Sequence, residues 1–267
     1  MELHTLHDQL CNSVREMVAH VPFAKSLIAS EKGRHDYVTQ LDVWYEQQIE
    51  QRLTKLRPEW PVISEEQAKS QPMPEGYCWL VDPLDGTFNV VHNLPFHSIS
   101  IALMLDGEPV LAVVYDSGAS SLYSAIKGRG AYCDGDALQV NGCAHEVIAI
   151  SSGFVDWALE RDPSILAGLR KLGKIRILGS QGLQLAYVGA GNLSANLSVE
   201  AKPWDDAAGC LIATESGAVY NDFSGAALFP LAAGEVHAQT LQSIAATPEL
   251  WQKIQPLLTP HLKKEAA

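Results

Sequence analysis

Trp79-Leu80-Val81-Asp82-Pro83-Leu84-Asp85-Gly86-Thr87-Phe88 is the stretch that decides how this chain is read. The apolar run 79–81 has the character of a buried strand, expected to end at Pro83, because proline cannot donate to a sheet ladder. Asp82 and Asp85 are then presented at the strand's end, with Leu84 between them and Gly86-Thr87 closing the turn. Carboxylates fixed on a rigid strand end suit a hard divalent cation such as Mg²⁺, which takes oxygen ligands in near-octahedral geometry. Asp-Pro and Asp-Gly are also ordinary turn punctuation. The rest of the chain has to decide between the two.

Upstream, apolar residues recur at helical spacing over 2–21 and again from Leu41 to Leu56, where Pro58 and Pro61 end the pattern. Val62-Ile63 is a short strand candidate that runs into Ser64-Glu65-Glu66, and 67–77 reads as an exposed loop. Downstream, strand runs at 98–105, 109–115, 121–125 and 130–132 are separated by Asp-Gly, Ser-Gly and Lys-Gly signals, the pattern of an antiparallel meander. After residue 146 strands alternate with helices. Strands are expected at 147–151, 174–178, 193–197, 218–221 and 242–246, and helices at 163–172, 180–191, 205–216 and 248–258. An α+β half (1–145) would then be stacked on an α/β half (146–267).

The composition narrows the class further. With 47% hydrophobic and 19% charged residues among 267, the chain has material for a large core. A net charge of −12 argues against nucleic acid as a partner, since phosphate backbones are bound by clustered positive charge. Five cysteines without CxxC spacing read as reduced thiols of a cytoplasmic protein. No apolar run of 18 residues points to a membrane.

Four acidic elements fall at strand ends or helix starts: Asp42, Glu65-Glu66, the pair Asp82 and Asp85, and Asp205 after Pro203-Trp204. Each has an ordinary alternative. Asp42 could sit on a solvated helix face, Glu65-Glu66 in a solvated turn, and Asp205 could cap the helix that follows it. Taken in order, however, Asp36…Thr39…Asp42, Glu65-Glu66, the 79–87 segment and Trp204-Asp205 resemble the successive motifs of the inositol monophosphatase-like, Mg²⁺-dependent sugar and polyol phosphatases. The resemblance runs from about residue 3 to the C-terminus. Asn89-Val90-Val91-His92 followed by Pro95-Phe96 looks like the inositol-type branch, and Phe88 replaces the lysine usual in the nucleotide-bisphosphate branch.

The resemblance implies a layered αβαβα sandwich of the inositol monophosphatase/fructose-bisphosphatase type. It also implies two to three Mg²⁺ ions per site and, as a family trait, a homodimer. Glu65, Asp82 and the Leu84 carbonyl would hold one ion, and Asp82, Asp85 and Asp205 a second, with a looser third near Glu65. Two ions about 3.5–4 Å apart stabilise both the entering and the departing oxygens of a phosphoryl transfer. Thr87, backed by Asp42 and assisted by Glu65, would position water and take up its proton; threonine alone is a weak base. Asp85, Gly86, Thr87, Gly179, Ser180, Ser198 and Asp205 would face the substrate, a small phosphorylated metabolite.

The pattern departs at two positions. Inositol-specific members usually carry Asp and Glu where this chain has Ser194 and Ser198, with Glu200 two residues further on. Losing an acceptor that grips hydroxyls redirects specificity, so another polyol, sugar or related alcohol phosphate is expected in place of inositol 1-phosphate. The alternatives are a 3′-phosphoadenosine 5′-phosphate or histidinol-phosphate phosphatase, or a binding or regulatory protein that keeps the fold. Lys202 would face either the substrate's entry or solvent, and Cys210 is expected to be a packed thiol.

Overall fold

Leu6, Leu10, Val14 and Met17 lie on one buried face of α1 (Leu3–Val18), and Leu41, Tyr45, Ile49 and Leu53 do the same for α2 (Gln40–Leu56). The hairpin β1 (Ala29–Gly33) and β2 (Asp36–Thr39) connects the two helices. The computed structural model describes residues 3–22, 29–33, 36–65, 71–140, 146–232 and 234–262, so Glu66 and Cys143 lie outside it. β3 (Val62–Ser64), β4 (Tyr77–Asp85), the short helix α3 (Thr87–Val91), β5 (Ser98–Leu105), β6 (Glu108–Asp116), β7 (Ser121–Ile126), β8 (Ala131–Cys133) and β9 (Asp136–Leu138) follow. Their strands form a sheet in sequence order, antiparallel except for the parallel pair β3–β4.

The second sheet and its helices comprise β10 (Val147–Ile150), α4 (Ser152–Arg161), α5 (Ser164–Leu172), β11 (Lys174–Arg176), α6 (Gln181–Gly189), β12 (Ala195–Ala201), α7 (Pro203–Glu215), β13 (Val219–Asp222), β14 (Leu241–Ala246) and α8 (Pro248–Leu258). The strand order is β11-β10-β12-β14-β13, parallel among β11, β10 and β12 and antiparallel beyond.

Alternation along the strands dictates the layers. In β4 and β5, Trp79, Val81, Ile99, Ile101 and Leu103 face the helices α1 and α2, while Leu80, Ala102 and Met104 face α6 and α7. The other sides of α6 and α7, with Leu185, Val188, Cys210 and Ala213, pack on Ala149 and Ala245 of the second sheet. The outer face of that sheet, with Ile148, Leu197 and Ile244, is covered by α4, α5 and α8. This is the αβαβα sandwich expected from the sequence. Helices α6 and α7 approach closely because they meet through glycine: a Cβ on Gly209 would lie 2.5 Å from the Cβ of Leu185.

Several elements differ from the pattern read in the sequence. The helix α4 was absent from that reading because Phe154, Trp157 and Ala158 make only a short apolar face behind the Ser151 N-cap. The helix α3 and the β1–β2 hairpin are too short to carry a period, and β11 stops two residues before the expected end. Pro83 does not end β4. Asp82 pairs with Ser100 and Asp85 with Ser98, so a bulge takes the proline out of the ladder and the strand runs on to Asp85.

Candidate active site

The bulge in β4 turns Asp82 and Asp85 into the space between the two sheets' helices. Asp82 is buried, and its Oδ1 accepts from the Leu84 N–H at 2.9 Å. Asp85 sits on the N-terminus of α6. Its Oδ2 accepts from Ser180 Oγ (2.7 Å), the Gly182 N–H (2.7 Å) and Ser98 Oγ (3.3 Å), and its Oδ1 from the Gln181 N–H (3.1 Å). The helix dipole and these donors favour the ionised form, while burial pushes its pKa up.

Asp205, at the start of α7, accepts from the Lys202 N–H through Oδ2 at 2.7 Å. It therefore caps its helix, as one sequence reading held, and also stands beside the other acids. Glu65 follows β3, its N–H bound to the Val81 carbonyl at 3.1 Å. The charges acting on Asp82 are those of Glu65, Asp85 and Asp205, and with burial they raise its pKa well above the usual carboxylate range. Asp205 is raised in the same way, by burial first and then by Asp85 and Glu65. A cluster of this kind fits a hard divalent cation on chemical grounds. The donors are all oxygen, the neighbouring charges are all negative, and a cation would remove the repulsion that burial intensifies.

Asp42 is not on a solvated face: it is only 2% exposed. Thr39 caps α2, accepting from the Leu41 and Asp42 N–H groups at 3.1 and 3.4 Å. In return the Thr39 N–H donates to Asp42 Oδ2 at 2.8 Å, and the Thr39 hydroxyl donates to the same oxygen. This reciprocal cap leaves Asp42 Oδ1 to face Thr87 Oγ1 at 2.9 Å, across 45 residues of sequence. Thr87 Oγ1 is equally close, 2.9 Å, to the Leu84 carbonyl. Gly86, at φ +90°, makes the turn between the acids and Thr87, and a Cβ there would lie 2.8 Å from the Phe96 carbonyl.

A cavity of about 200 Å³ opens beside Asp85 and Asp205 and is also lined by Gly179, Ser180, Ser198 and Glu200. All five sequence-predicted substrate residues outside the 86–87 turn therefore share one space. The sequence reading missed Ser151, Ser152, Gln181 and Gln184 of that lining. Their signal was positional: ligands of α/β sheets collect at the carboxyl ends of parallel strands, here β10 and β12. Glu200 reaches the cavity, with one carboxylate oxygen accepting from the Gly153 N–H at 2.9 Å. Lys202 does not line the cavity; its partly exposed side chain donates from Nζ to the His237 carbonyl (3.0 Å) and to Thr240 Oγ1 (3.2 Å) at the surface. Cys210 is buried, its Sγ 3.2 Å from the Ala207 carbonyl, with burial pushing the thiol pKa well up.

Gly182 supports the Asp85 cradle from below. A Cβ there would lie 2.3 Å from Ser100 Oγ and 3.4 Å from Asp85 Oδ2. Gly182→Ala is expected to cost about 1–3 kcal/mol through overpacking and, if Asp85 binds a metal, to weaken that binding about tenfold by moving its support. Thermal unfolding and a Mg²⁺ titration of the variant check both.

The sequence model of the inositol monophosphatase family matches residues 5–265. Nus factor SuhB of Pseudomonas aeruginosa is 36% identical over 244 residues, 88% of this chain and 89% of the relative. The fructose-1,6-bisphosphatase/inositol-1-monophosphatase of Thermotoga maritima is 34% identical over 203 residues, 74% of this chain and 76% of the relative. Among solved structures, the IMPase of Thermotoga maritima superimposes with a TM-score of 0.78 at 29% identity, covering 95% of this chain and 97% of its own.

Proposed function

The chain belongs to the inositol monophosphatase family, and we propose that it hydrolyses a small phosphate monoester of a polyol, sugar or related alcohol in a Mg²⁺-dependent reaction. One observation carries the reading: the Thr87–Asp42 hydrogen bond of 2.9 Å stands beside the buried acids Asp82 and Asp85 and the half-buried Asp205. Glu65, Asp82, Asp85, Asp205 and the Leu84 carbonyl would hold two to three ions. Bound there, Mg²⁺ supplies positive charge to the phosphate and lowers the pKa of a bound water.

The chain's own residues do the rest. Thr87 Oγ1 accepts a hydrogen bond from the attacking water and donates its own proton to Asp42 Oδ1, with Glu65 assisting. The Thr39 cap fixes Asp42 for this, since one carboxylate oxygen is committed to Thr39 and the other is aimed at Thr87. The N–H groups of Gly86 and Thr87 receive phosphate oxygens, and the left-handed turn at Gly86 permits the close approach. Residues 1–145 supply most of the metal ligands, and 146–267 supply Asp205 and the loop at Gly179-Ser180.

The alcohol end of the substrate lies in the cavity. About 200 Å³ is smaller than the roughly 300–1,000 Å³ of pockets for drug-sized ligands, so it suits a small polyol better than the larger nucleotide. Ser198 withdraws the acceptor usual in inositol-specific members, and Glu200 offers a carboxylate elsewhere on the wall. Glu200→Gln is expected to lower kcat/KM for the preferred substrate about tenfold, the effect of weakening one hydrogen bond to a charged group. Release from p-nitrophenyl phosphate, which has no hydroxyl to grip, stays unchanged. Steady-state kinetics on both substrates check this.

The reading includes a homodimer, a cytoplasmic location and neither nucleic acid nor membrane as partner. No helix among the described residues is long and apolar enough to cross a membrane. A purely binding role, the alternative raised by relatives named Nus factor SuhB, gives no physical reason to keep mutually repelling buried acids. Phosphate release from a panel of sugar, polyol, nucleotide and amino-alcohol phosphates, with Mg²⁺ and with EDTA, tests the proposal. Mg²⁺-dependent release from a polyol or sugar phosphate is expected. Inositol 1-phosphate far ahead of the rest would overturn the specificity argument, and no release from any class would favour the binding role.

A further inference from the structure

The N-terminal helix carries metal-ligating side chains that the hydrolytic chemistry leaves unused. His4, His7 and Asp8 stand at positions i, i+3 and i+4 of α1, the spacing that brings side chains together on one helix face. His4 Nδ1 lies 3.4 Å from Asp8 Oδ2, and His7 Nδ1 lies 3.1 Å from Asp8 Oδ1. One ligand atom from each residue falls within 4.8 Å of the other two. Small rotations of the exposed His4 and Asp8 side chains around the largely buried His7 ring bring such atoms around a single ion.

A second contact fixes the ring that matters most. His7 Nε2, on the far edge of the imidazole, lies 3.6 Å from Cys11 Sγ one turn further along. Metal-bound histidines commonly donate their second ring N–H to an acceptor, which sets the tautomer and aims the other nitrogen at the ion; Cys11 Sγ is placed to accept from the Nε2–H of that tautomer. With Nε2 committed to Cys11, Nδ1 points to Asp8. His4 and His7 also border a cavity of about 610 Å³ that extends past Leu122 and Ser124 of β7 to Tyr132 of β8. An ion held by the three residues would keep an open coordination position toward it.

Two imidazoles and one carboxylate form the donor set of a borderline ion such as Zn²⁺ at an open site. They do not suit Mg²⁺, which prefers oxygen. We propose that His4, His7 and Asp8 bind one Zn²⁺-type divalent ion on α1, separate from the carboxylate cluster. The two sites differ in chemistry as well as place. The hydrolytic cluster offers only oxygen, so zinc bound there perturbs no imidazole.

That difference supplies the test. Zn²⁺ is titrated into the full chain saturated with Mg²⁺, and the imidazole nitrogens of its nine histidines are followed by long-range ¹H–¹⁵N NMR. Two rings are expected to shift at Nδ1 with one equivalent of zinc, and His4→Gln and His7→Gln are each expected to remove one ring's signal and to abolish the zinc-induced shift of the other. Equilibrium dialysis should show one zinc equivalent fewer in either variant. His4 is largely exposed, so His4→Gln leaves folding intact. The proposal is overturned if stoichiometric zinc shifts no ring, or if in His4→Gln the His7 ring still shifts and the zinc equivalent is still bound. Either result would leave the three residues as ordinary surface ion pairs.

Discussion

Asp82→Asn is expected to fold and to retain no more than about one-thousandth of the wild-type phosphate release. Asp82 is the acid on which Glu65, Asp85 and Asp205 all act, and the proposed function makes it a ligand shared between two ions. Asparagine keeps an oxygen but loses the charge, and losing about 4 kcal/mol of transition-state stabilisation slows a reaction about a thousandfold. Folding survives because the substitution removes a repelling buried charge and keeps the shape. The pH dependence separates the two effects. The pKa of Asp82 is raised in the folded state, so the folded chain holds this proton more tightly than the unfolded one does. In EDTA, the contribution of Asp82 to wild-type stability is therefore fully present below the ordinary carboxylate pKa of about 4 and is lost as pH rises through the raised value. The variant should show a shallower fall, and Mg²⁺ should stabilise it less than wild type. Denaturant unfolding across pH, with and without Mg²⁺, checks the stability side, and initial rates check the catalytic side. Full activity in Asp82→Asn would sink the metal reading.

Thr87→Ala should lower kcat by about 10²–10³, within the range of a lost general base, while KM changes little. The Thr87 hydroxyl is the only link in the proposed path between water and Asp42, and the 2.9 Å contact shows the two already paired. Thr87 is half-buried at the start of α3, so losing its hydroxyl has a small structural cost. Thr87→Ser keeps the hydroxyl and should keep most of the rate. Asp42→Asn should cost about as much as Thr87→Ala, and the double variant little more than either, because residues acting as one unit are not additive. Single-turnover rates of the three variants provide the cycle. Additive losses would mean that Thr87 and Asp42 act separately.

The acids were legible in the sequence only as a set: Asp42, Glu65-Glu66, Asp82 with Asp85, and Trp204-Asp205 each have an ordinary explanation, and their order resembles one family's motifs. The layering came with the family resemblance, and the structure agrees with it: β4 and β5 bury side chains on both faces, against α1 and α2 on one side and α6 and α7 on the other. The bulge at Pro83 was not legible, because proline signals only that a ladder bond is missing and not whether the strand stops or steps aside. The helix α4 escaped for want of a long period, and with it Ser152 at the cavity wall.

The sequence by itself determined the inventory and its order: which carboxylates exist, which elements carry them, and which of those elements are buried. Only the tertiary structure decided the encounters. Thr87 meets Asp42, Ser180 meets Asp85 across 95 residues, and Glu200 comes to the same cavity as Ser198. The physical reason is that periodicity and turn chemistry are properties of neighbours along the chain. Contacts between distant residues depend instead on sheet order, register and the depth to which helices pack. Those are settled by burying every apolar face at once, so no single stretch of the chain contains them.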